Sequence, residues 1–140
     1  MAIMALDVGS KRIGVAVADP SRTFALPATT VERININADL ARLRALLEEY
    51  AVDELVIGDP VALSGERGVA AQKMDEFVER LRTVYTGAIY RVDERMTTAQ
   101  ATKTLIAADV SRAKRKRAVD AMAAALILET YLARRRNESP

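Results

Sequence analysis

The chain has neither cysteine nor histidine among its 140 residues. Without cysteine there are no disulfide bonds or thiolate metal sites, and without histidine there are no imidazole ligands and no Ser-His-Asp triad. Any catalysis must therefore use carboxylates, hydroxyls, lysine, arginine or a bound hard cation. A cysteine-free chain also fits a reducing compartment, so we expect a cytoplasmic protein.

Aromatic residues make up only 4% of the chain, and long apolar runs are missing. The longest run, Ala121 to Leu128, is far shorter than the ~20 residues of a membrane-spanning helix. The N-terminus has no basic segment followed by a long apolar run, so we expect no secretion signal and no membrane partner. The formal net charge is only +2. Affinity for nucleic acid would therefore come from local basic patches and backbone contacts, because base stacking has few aromatic side chains to use.

The apolar pattern predicts a single domain over residues 1–140 that begins with a meander of three strands. Two of these strands lie within residues 3–19 and flank a tight turn at 9–12. Residues 24–31 are predicted as a loop that leads into the third strand, which we place at a sheet edge because Pro27 cannot donate a hydrogen bond to a neighbouring strand.

Helices and strands alternate through the rest of the chain. We place the N-cap of the first helix at Asn37. The predicted order is helix 38–50, strand 54–58, helix 69–85, strand 88–92, short helix 97–108 and long helix 111–135. This order predicts an α/β fold with a mixed five-stranded sheet, three antiparallel strands followed by two parallel ones, and helices on both faces.

Asp7 is an unusual residue for its position in the apolar first strand, where aspartate is rare. Counting by two places it on the face of Ile3 and Ala5, which we expect to be covered. A buried carboxylate is costly unless it is paired or binds a metal. The alternative is that Asp7 only opens the turn at Gly9, and for an isolated aspartate that alternative is the stronger.

Asp120 lies in the last helix among small residues, which would let the helix backbone approach the sheet closely. It continues the side formed by Ala124, Ile127 and Tyr131, which must face the core. The alternative is an acid near a helix start, favoured by the macrodipole. Taken alone, Asp120 does not decide between the two.

Carboxylates from three parts of the chain can converge at one edge of this sheet. Asp93 and Glu94 end the fifth strand, where sites form in such sheets. One of this pair could meet Asp7 and Asp120, and the three would repel each other unless cations lay between them. Carboxylates without imidazole or thiolate partners suit Mg²⁺ or Mn²⁺.

Two basic clusters flank these acids. Residues 114–117 are all basic and occupy the first turns of the last helix, where the dipole disfavours cations. Two of them lie one helical turn before Asp120, and a second basic pair follows Asp7 in the first turn. The alternative is a solvated charged surface. The candidate phosphate contacts are Lys11, Arg12, Lys114, Lys116 and Arg117.

Three segments together resemble the signatures of a known nuclease family. They run from Leu6 to Ala16, from Asp93 to Thr98 and from Val119 to Ala124. In this order they are similar to the three signatures of the YqgF (RuvX) family, and the match runs along nearly the whole chain. The resemblance implies a ribonuclease H-like fold and a carboxylate site that holds a divalent metal, Mg²⁺ or Mn²⁺.

The resemblance also implies which residues bind the metal. They are Asp7, Glu94 and Asp120, with Asp93 as second choice because only one of two neighbours on a strand can face the site. One departure concerns Asp59, where the family usually has an apolar residue. Asp59 could supplement the site or cap the loop that follows it, and we favour the cap.

The function implied is maturation of the 5′ end of 16S ribosomal RNA, with kinship to RuvC-type Holliday-junction resolvases. The chemistry would be metal-assisted phosphodiester hydrolysis, with two cations ~4 Å apart that activate water and stabilise the leaving oxygen. The expected partners are an RNA precursor or branched DNA, with possible association with the ribosome or the transcription machinery. We expect a monomer or weak homodimer.

Three other functions stay open from the sequence. The chain could resolve DNA junctions, or it could bind nucleic acid without cleaving it. The turn from Asp7 to Gly9 also resembles the phosphate-binding turn of actin-type ATPases. Those enzymes need two such lobes, and this chain supplies one.

Overall fold

A five-stranded mixed sheet with helices on both faces forms the body of the protein. The computed structural model describes residues 2–18, 25–59, 68–93 and 112–138, without the side chains at 70, 93, 112–119 and 136–138. The strands are β1 (Ala2–Val8), β2 (Arg12–Ala18), β3 (Ala25–Glu32), β4 (Val52–Asp59) and β5 (Ala88–Asp93). The helices of the described ranges are α1 (Ile36–Glu49), α2 (Val69–Leu81) and α3 (Arg112–Glu138).

The strand order is β3-β2-β1-β4-β5. The pairs β1–β2 and β2–β3 are antiparallel, and the pairs β1–β4 and β4–β5 are parallel. This topology confirms the predicted sheet. It places β1 at the centre with β4 beside it, and burial between the helices explains the apolar stretches Ala2–Leu6 of β1 and Leu55–Ile57 of β4.

The two faces of the sheet carry separate cores. One core packs α1 and α2 against alternate residues of the strands, including Met4, Leu6, Ile13, Leu55 and Ile57. The other packs α3 against Ile3, Ala5, Ala16, Val56 and Val92. The three- and four-residue spacing of apolar residues in α2 predicts that four of them face inward. All four are buried, namely Met74, Phe77, Val78 and Leu81. Helices therefore cover both faces, as predicted.

Strand β3 lies at the edge of the sheet, as Pro27 predicted. Val15 pairs with Thr29 whereas Ala16 pairs with Pro27, so the register shifts by one residue at this point. Ala28 is thus the extra residue of a β-bulge. A bulge beside a proline is a common way to limit further pairing along an edge strand.

The predicted start of α1 was wrong by two residues. Asn35, and not Asn37, is the N-cap, and its side chain accepts a hydrogen bond from the backbone N–H of Ala38. Asp39 explains the earlier start, because its carboxylate accepts a hydrogen bond from the Ile34 backbone N–H and pairs with Arg33. These bonds tie the chain before the helix to the first helical turn.

Other boundaries also differ from the prediction. Helix α2 ends at Leu81, and residues 82–84 form turns before the buried Tyr85, so the predicted end at 85 was four residues late. Strand β4 is longer at both ends than predicted. The predicted short helix at 97–108 lies outside the described residues. In the described part of the chain, none of the helices combines the length and the apolar character needed to span a bilayer.

Candidate active site

Asp7 lies near the end of β1 on the face covered by α3. Ile3 and Ala5 precede it on that face and are buried in the core of α3. The Asp7 residue itself is only 9% exposed. The predicted orientation is confirmed, and the carboxylate lies at the carboxyl end of a central strand, where sites form in sheets of this type.

Gly14 on β2 brings helix α3 up to Asp7. It is the register partner of Asp7 across the β1–β2 pair. A Cβ atom built on Gly14 would lie 1.8 Å from the backbone carbonyl oxygen of Asp120 and 2.9 Å from the nitrogen of Ala121. Any side chain at position 14 would therefore push the helix away, and the predicted close approach of helix and sheet occurs at this glycine.

The Asp120 carboxylate is held in a partly buried position close to Asp7. Burial raises the pKa of Asp120, and the negative charge of Asp7 raises it further. The nearby Arg12 guanidinium lowers the pKa of Asp120, but burial and Asp7 outweigh it. Two carboxylates that repel each other in a half-buried setting favour either protonation or a bound cation.

The donor set fits a hard divalent cation. The two described side chains, Asp7 and Asp120, offer only carboxylate oxygens, which Mg²⁺ and Mn²⁺ prefer. Within the described ranges, groups of three or more possible metal ligands do not occur. The predicted third ligand, Glu94, lies outside those ranges, as does the side chain of Asp93, whose backbone ends β5.

Arg33 fastens the turn that follows Asp7. Its Nη1 donates to the Gly9 carbonyl oxygen at 2.9 Å, and its backbone N–H donates to the carbonyl oxygen of Lys11 at 2.9 Å. Its Nε donates to the buried Asp39 carboxylate at 3.1 Å. The guanidinium also lies 5.6 Å from the ring centroid of Phe77. Sequence analysis missed this residue, because its partners are brought together only by the fold.

Asp59 forms an ion pair with the neighbouring strand β5. Arg91 on β5 donates from Nη2 to its carboxylate at 2.9 Å and from Nη1 to Asp75 on α2. Asp59 follows Ile57 on the face of α1 and α2, which is opposite the face of Asp7. Asp59 is therefore part of an ion-paired cluster that joins β4, β5 and α2. The loop cap stays a prediction, because residues 60–67 lie outside the described ranges.

Of the candidate phosphate contacts, the structure describes the side chains of Lys11 and Arg12. Lys11 is exposed in the turn, while Arg12 pairs with Glu32 at 3.1 Å. The backbone of residues 114–117 lies in the first turns of α3, as predicted, but their side chains are not among those that the structure describes. The structure thus brings Arg12 close to Asp120 and leaves the contacts of Lys114, Lys116 and Arg117 as a prediction.

A family model supplies the identification. The model described as "RuvX: Holliday junction resolvase" matches residues 1–134. The chain belongs to the RuvX family. The resemblance seen in the three sequence segments is therefore confirmed, and the match favours this family over the actin-type ATPases.

Curated RuvX relatives are similar over their whole length. A protein of Thermoanaerobacter pseudethanolicus is 43% identical over 139 residues, which cover 99% of this chain and 100% of the relative. One from Moorella thermoacetica is 42% identical over 134 residues, covering 96% of each chain. Both carry the name "Putative pre-16S rRNA nuclease". RuvX membership thus confirms the prediction of a nuclease, an enzyme that hydrolyses phosphodiester bonds.

Solved structures confirm the ribonuclease H-like fold. RuvC of T. thermophilus in complex with a Holliday junction substrate matches with a TM-score of 0.62 at 15% identity, over 97% of this chain and 96% of that one. The Fowlpox virus resolvase, complexed with Holliday junction DNA, matches with a TM-score of 0.56 at 12% identity, over 96% of this chain and 98% of that one. A RuvX chain with this fold is expected to use a divalent metal and to bind nucleic acid.

Proposed function

We propose that this RuvX protein trims the 5′ end of pre-16S ribosomal RNA by divalent-metal-dependent hydrolysis. The observation that carries the chemistry is the pair Asp7 and Asp120, two carboxylates held together in a half-buried site. The substrate is taken from the curated relatives, which share about two fifths of their residues with this chain and are named for pre-16S rRNA.

Asp7, Asp120 and Glu94 would hold the metal, either Mg²⁺ or Mn²⁺. The bound cation would supply Lewis-acid activation of water and charge stabilisation at the phosphate. Strand β1 and the Gly14 contact fix Asp7 and Asp120 relative to each other. A rigid pair of ligands of this kind reduces the entropy that metal binding would otherwise cost.

The strand pattern supports Glu94 over Asp93 as the third ligand. Arg91 contacts Asp75 of α2, and Val92 packs on the opposite face, in the core of α3. Residues on a strand alternate between faces. The positions that share the face of Asp7 are therefore the even-numbered ones, which favours Glu94.

The phosphate backbone would be held by cations around the two carboxylates. Lys11 and Arg12 lie in the turn and at the start of β2, directly after Asp7. The basic residues 114–117 begin α3 on the N-terminal side of Asp120. Binding through phosphates and shape suits a structured RNA, since contacts to the backbone carry little sequence information.

The second candidate function is the resolution of DNA junctions. It is favoured by the description of the family model and by the fold shared with two resolvases that were solved with Holliday junctions. A nucleic-acid-binding factor that does not cleave is a third candidate. Three expectations stay predictions. They are the cytoplasmic location, association with the ribosome or the transcription machinery, and the monomeric or weakly dimeric state.

A side-by-side cleavage assay tests these candidates. The purified protein is incubated, with Mg²⁺ or Mn²⁺, with 5′-extended 16S precursor, a four-way DNA junction and unstructured strands. We expect preferred cleavage of the precursor that requires the metal and is absent in Asp7→Asn. Preference for the junction would favour resolution, and metal-independent binding without cleavage of any substrate would favour the binding factor.

A further inference from the structure

A groove opens on the opposite side of the first turn from the two carboxylates. Its volume is about 760 Å³, and it lies between the end of β1 with its turn and the exposed side of α2. Val8 lines it, one residue after Asp7, because neighbouring strand residues face opposite ways. Ligand sites typically have volumes of ~300–1,000 Å³. The groove is therefore large enough for a nucleotide.

The floor of the groove is apolar. Val8 and Ile36 are only partly buried, and Met74 and Phe77 lie behind them in the core of α1 and α2. Val69, at the first turn of α2, is 68% exposed at the rim. A flat uncharged group laid on this floor would remove apolar surface from water, which is favourable.

The rim of the groove is cationic. Lys73 and Arg80 lie seven residues apart on α2, which is two helical turns, so they share one side of the helix about 10 Å apart. Both are exposed, and among the described residues neither forms an ion pair. Arg33 also lines the groove, but its charge is matched by its ion pair with Asp39. Lys73 and Arg80 therefore stand against the single carboxylate of Glu76. The described lining therefore has a net positive charge.

We propose that this groove holds an unpaired segment of the nucleic-acid substrate. A base lies on the apolar floor at Val8, Ile36 and Met74, while phosphates contact Lys73 and Arg80. An unpaired strand is required because the base faces of a duplex are stacked inside it and cannot reach an apolar floor. The proposal rests on the proposed function, which supplies the nucleic-acid substrate. It adds the path that a single strand next to the cleaved region takes over the protein.

Fluorescence anisotropy of the full chain in EDTA measures this binding without cleavage. The probes are labelled blunt RNA duplexes, the same duplexes with a six-nucleotide unpaired extension, the free hexanucleotide rA6 and adenosine monophosphate. We expect the extension to tighten binding about tenfold. Lys73→Ala with Arg80→Ala should remove that gain and make the slope of log affinity against log salt shallower by about 1.4, since each single-strand phosphate contact contributes about 0.7.

The matched control is Arg42→Ala with Arg82→Ala. These two arginines are also exposed, form no ion pair with another described residue and do not line the groove. The control removes the same charge and should retain the gain from the extension. If both double variants lost the tighter binding of the extension equally, the groove proposal would be overturned. The effect would then be general electrostatic attraction.

Methionine methyl groups give a local readout by NMR. Met74 lines the groove, whereas Met4 belongs to the same core and is fully buried. On titration with rA6, the Met74 methyl resonance should shift and the Met4 resonance should not. An unchanged Met74 resonance at saturating rA6 would overturn the proposal.

The remaining outcomes separate this proposal from its rivals. Binding of adenosine monophosphate as tight as that of rA6 would overturn it in favour of a small-molecule site. Shifts of Met74 with protein concentration alone would overturn it in favour of self-association. If the precursor is cleaved but extensions do not tighten binding, the groove proposal is refuted and the nuclease proposal stands. If extensions tighten binding through the groove but nothing is cleaved, the nuclease proposal is refuted and the groove proposal stands.

Discussion

The backbone of Asp120 lies directly against Gly14, close enough that a Cβ atom on Gly14 would be 1.8 Å from the Asp120 carbonyl oxygen. Gly14 is also the register partner of Asp7. One glycine thus sets the separation between the two carboxylates of the candidate site. This contact makes the geometry of the site sensitive to a single methyl group.

Gly14→Ala should therefore weaken metal binding and lower stability. The added methyl has no space and must displace α3, at a cost of about 1–3 kcal/mol by analogy with overpacked cores. The displacement would separate Asp120 from Asp7, so Mn²⁺ affinity by calorimetry and cleavage should both fall. The control is Gly68→Ala, whose methyl would meet nothing within 4 Å. Unchanged metal affinity in Gly14→Ala would show that this contact does not position the carboxylates.

Asp7→Asn and Asp120→Asn should each abolish cleavage without loss of stability. Removal of a metal ligand should reduce the rate by more than about 100-fold, since even residues that only orient ligands contribute 10–100-fold. Metal-free stability should stay equal or rise, because carboxylate repulsion is relieved. Urea unfolding with EDTA measures this. Full activity in either variant would remove the metal site in its proposed form.

The same stability comparison should depend on pH. The pKa of Asp120 is raised above its ordinary value of 3.8 by burial and by Asp7, so the protonated form stabilises the folded state. That stabilisation is fully present below pH 3.8 and is lost as pH rises through the folded-state pKa. The advantage of Asp120→Asn should thus be greatest at neutral pH and shrink on acidification. An advantage independent of pH would argue against repulsion as its cause.

Glu94→Gln should be inactive while Asp93→Asn keeps measurable turnover. The reason is the alternation of β5, in which Val92 shares the face of Asp7. Single-turnover cleavage of the precursor, measured over a range of Mn²⁺ concentrations, distinguishes loss of metal binding from loss of substrate binding. The reverse ranking of the two variants would show that the ligand is Asp93.

Lys116→Ala with Arg117→Ala should weaken binding of all sequences alike. If both side chains contact phosphates, the slope of log affinity against log salt becomes shallower by about one to two units. Cleavage at saturating substrate should persist, because the metal ligands are intact.

The control for this pair needs care at the end of α3. Arg135 contacts Glu54, which also accepts a hydrogen bond from the Tyr131 hydroxyl at 2.8 Å. Removal of the Arg135 side chain would therefore disturb the fold, so Arg135 is not a suitable control. Arg42→Ala with Arg134→Ala removes the same charge from exposed residues and should change little. If both pairs gave the same loss, the phosphate path would have to be sought at Lys11 and Arg12.

Tyr131→Phe should cost about 1 kcal/mol at pH 8, because the hydrogen bond to Glu54 is lost. Burial and Glu54 raise the pKa of Tyr131 from 10.0 to about 12. The stabilisation by the neutral phenol is thus present below pH 10 and is lost as pH rises towards 12. The difference in unfolding free energy between wild type and Tyr131→Phe should shrink between pH 8 and pH 11. An equal difference at both pH values would contradict the assigned cause.

Local sequence determined the elements and the faces they present. The alternation of Ile3, Ala5 and Asp7 predicted which side of β1 carries the carboxylate, and the three- and four-residue spacing of Met74, Phe77 and Leu81 predicted the buried side of α2. Both are periodic signals that depend on neighbours only a few residues away. The family could be recognised from the sequence for the same reason, because each of the three motif segments is a continuous stretch of the chain.

Tertiary structure decided how these elements meet. The choice of Asn35 over Asn37 as N-cap depended on Asp39 and Arg33, and the pairing of Asp59 with Arg91 joins residues 32 positions apart. The small residues around Asp120 predicted a close approach of the last helix to the sheet, but not that Gly14 would be the point of contact. Such contacts arise only when the strands pair and the helices pack, because each needs a partner that is remote in the chain. The distance between Asp7 and Asp120, on which the chemistry depends, is therefore a property of the fold.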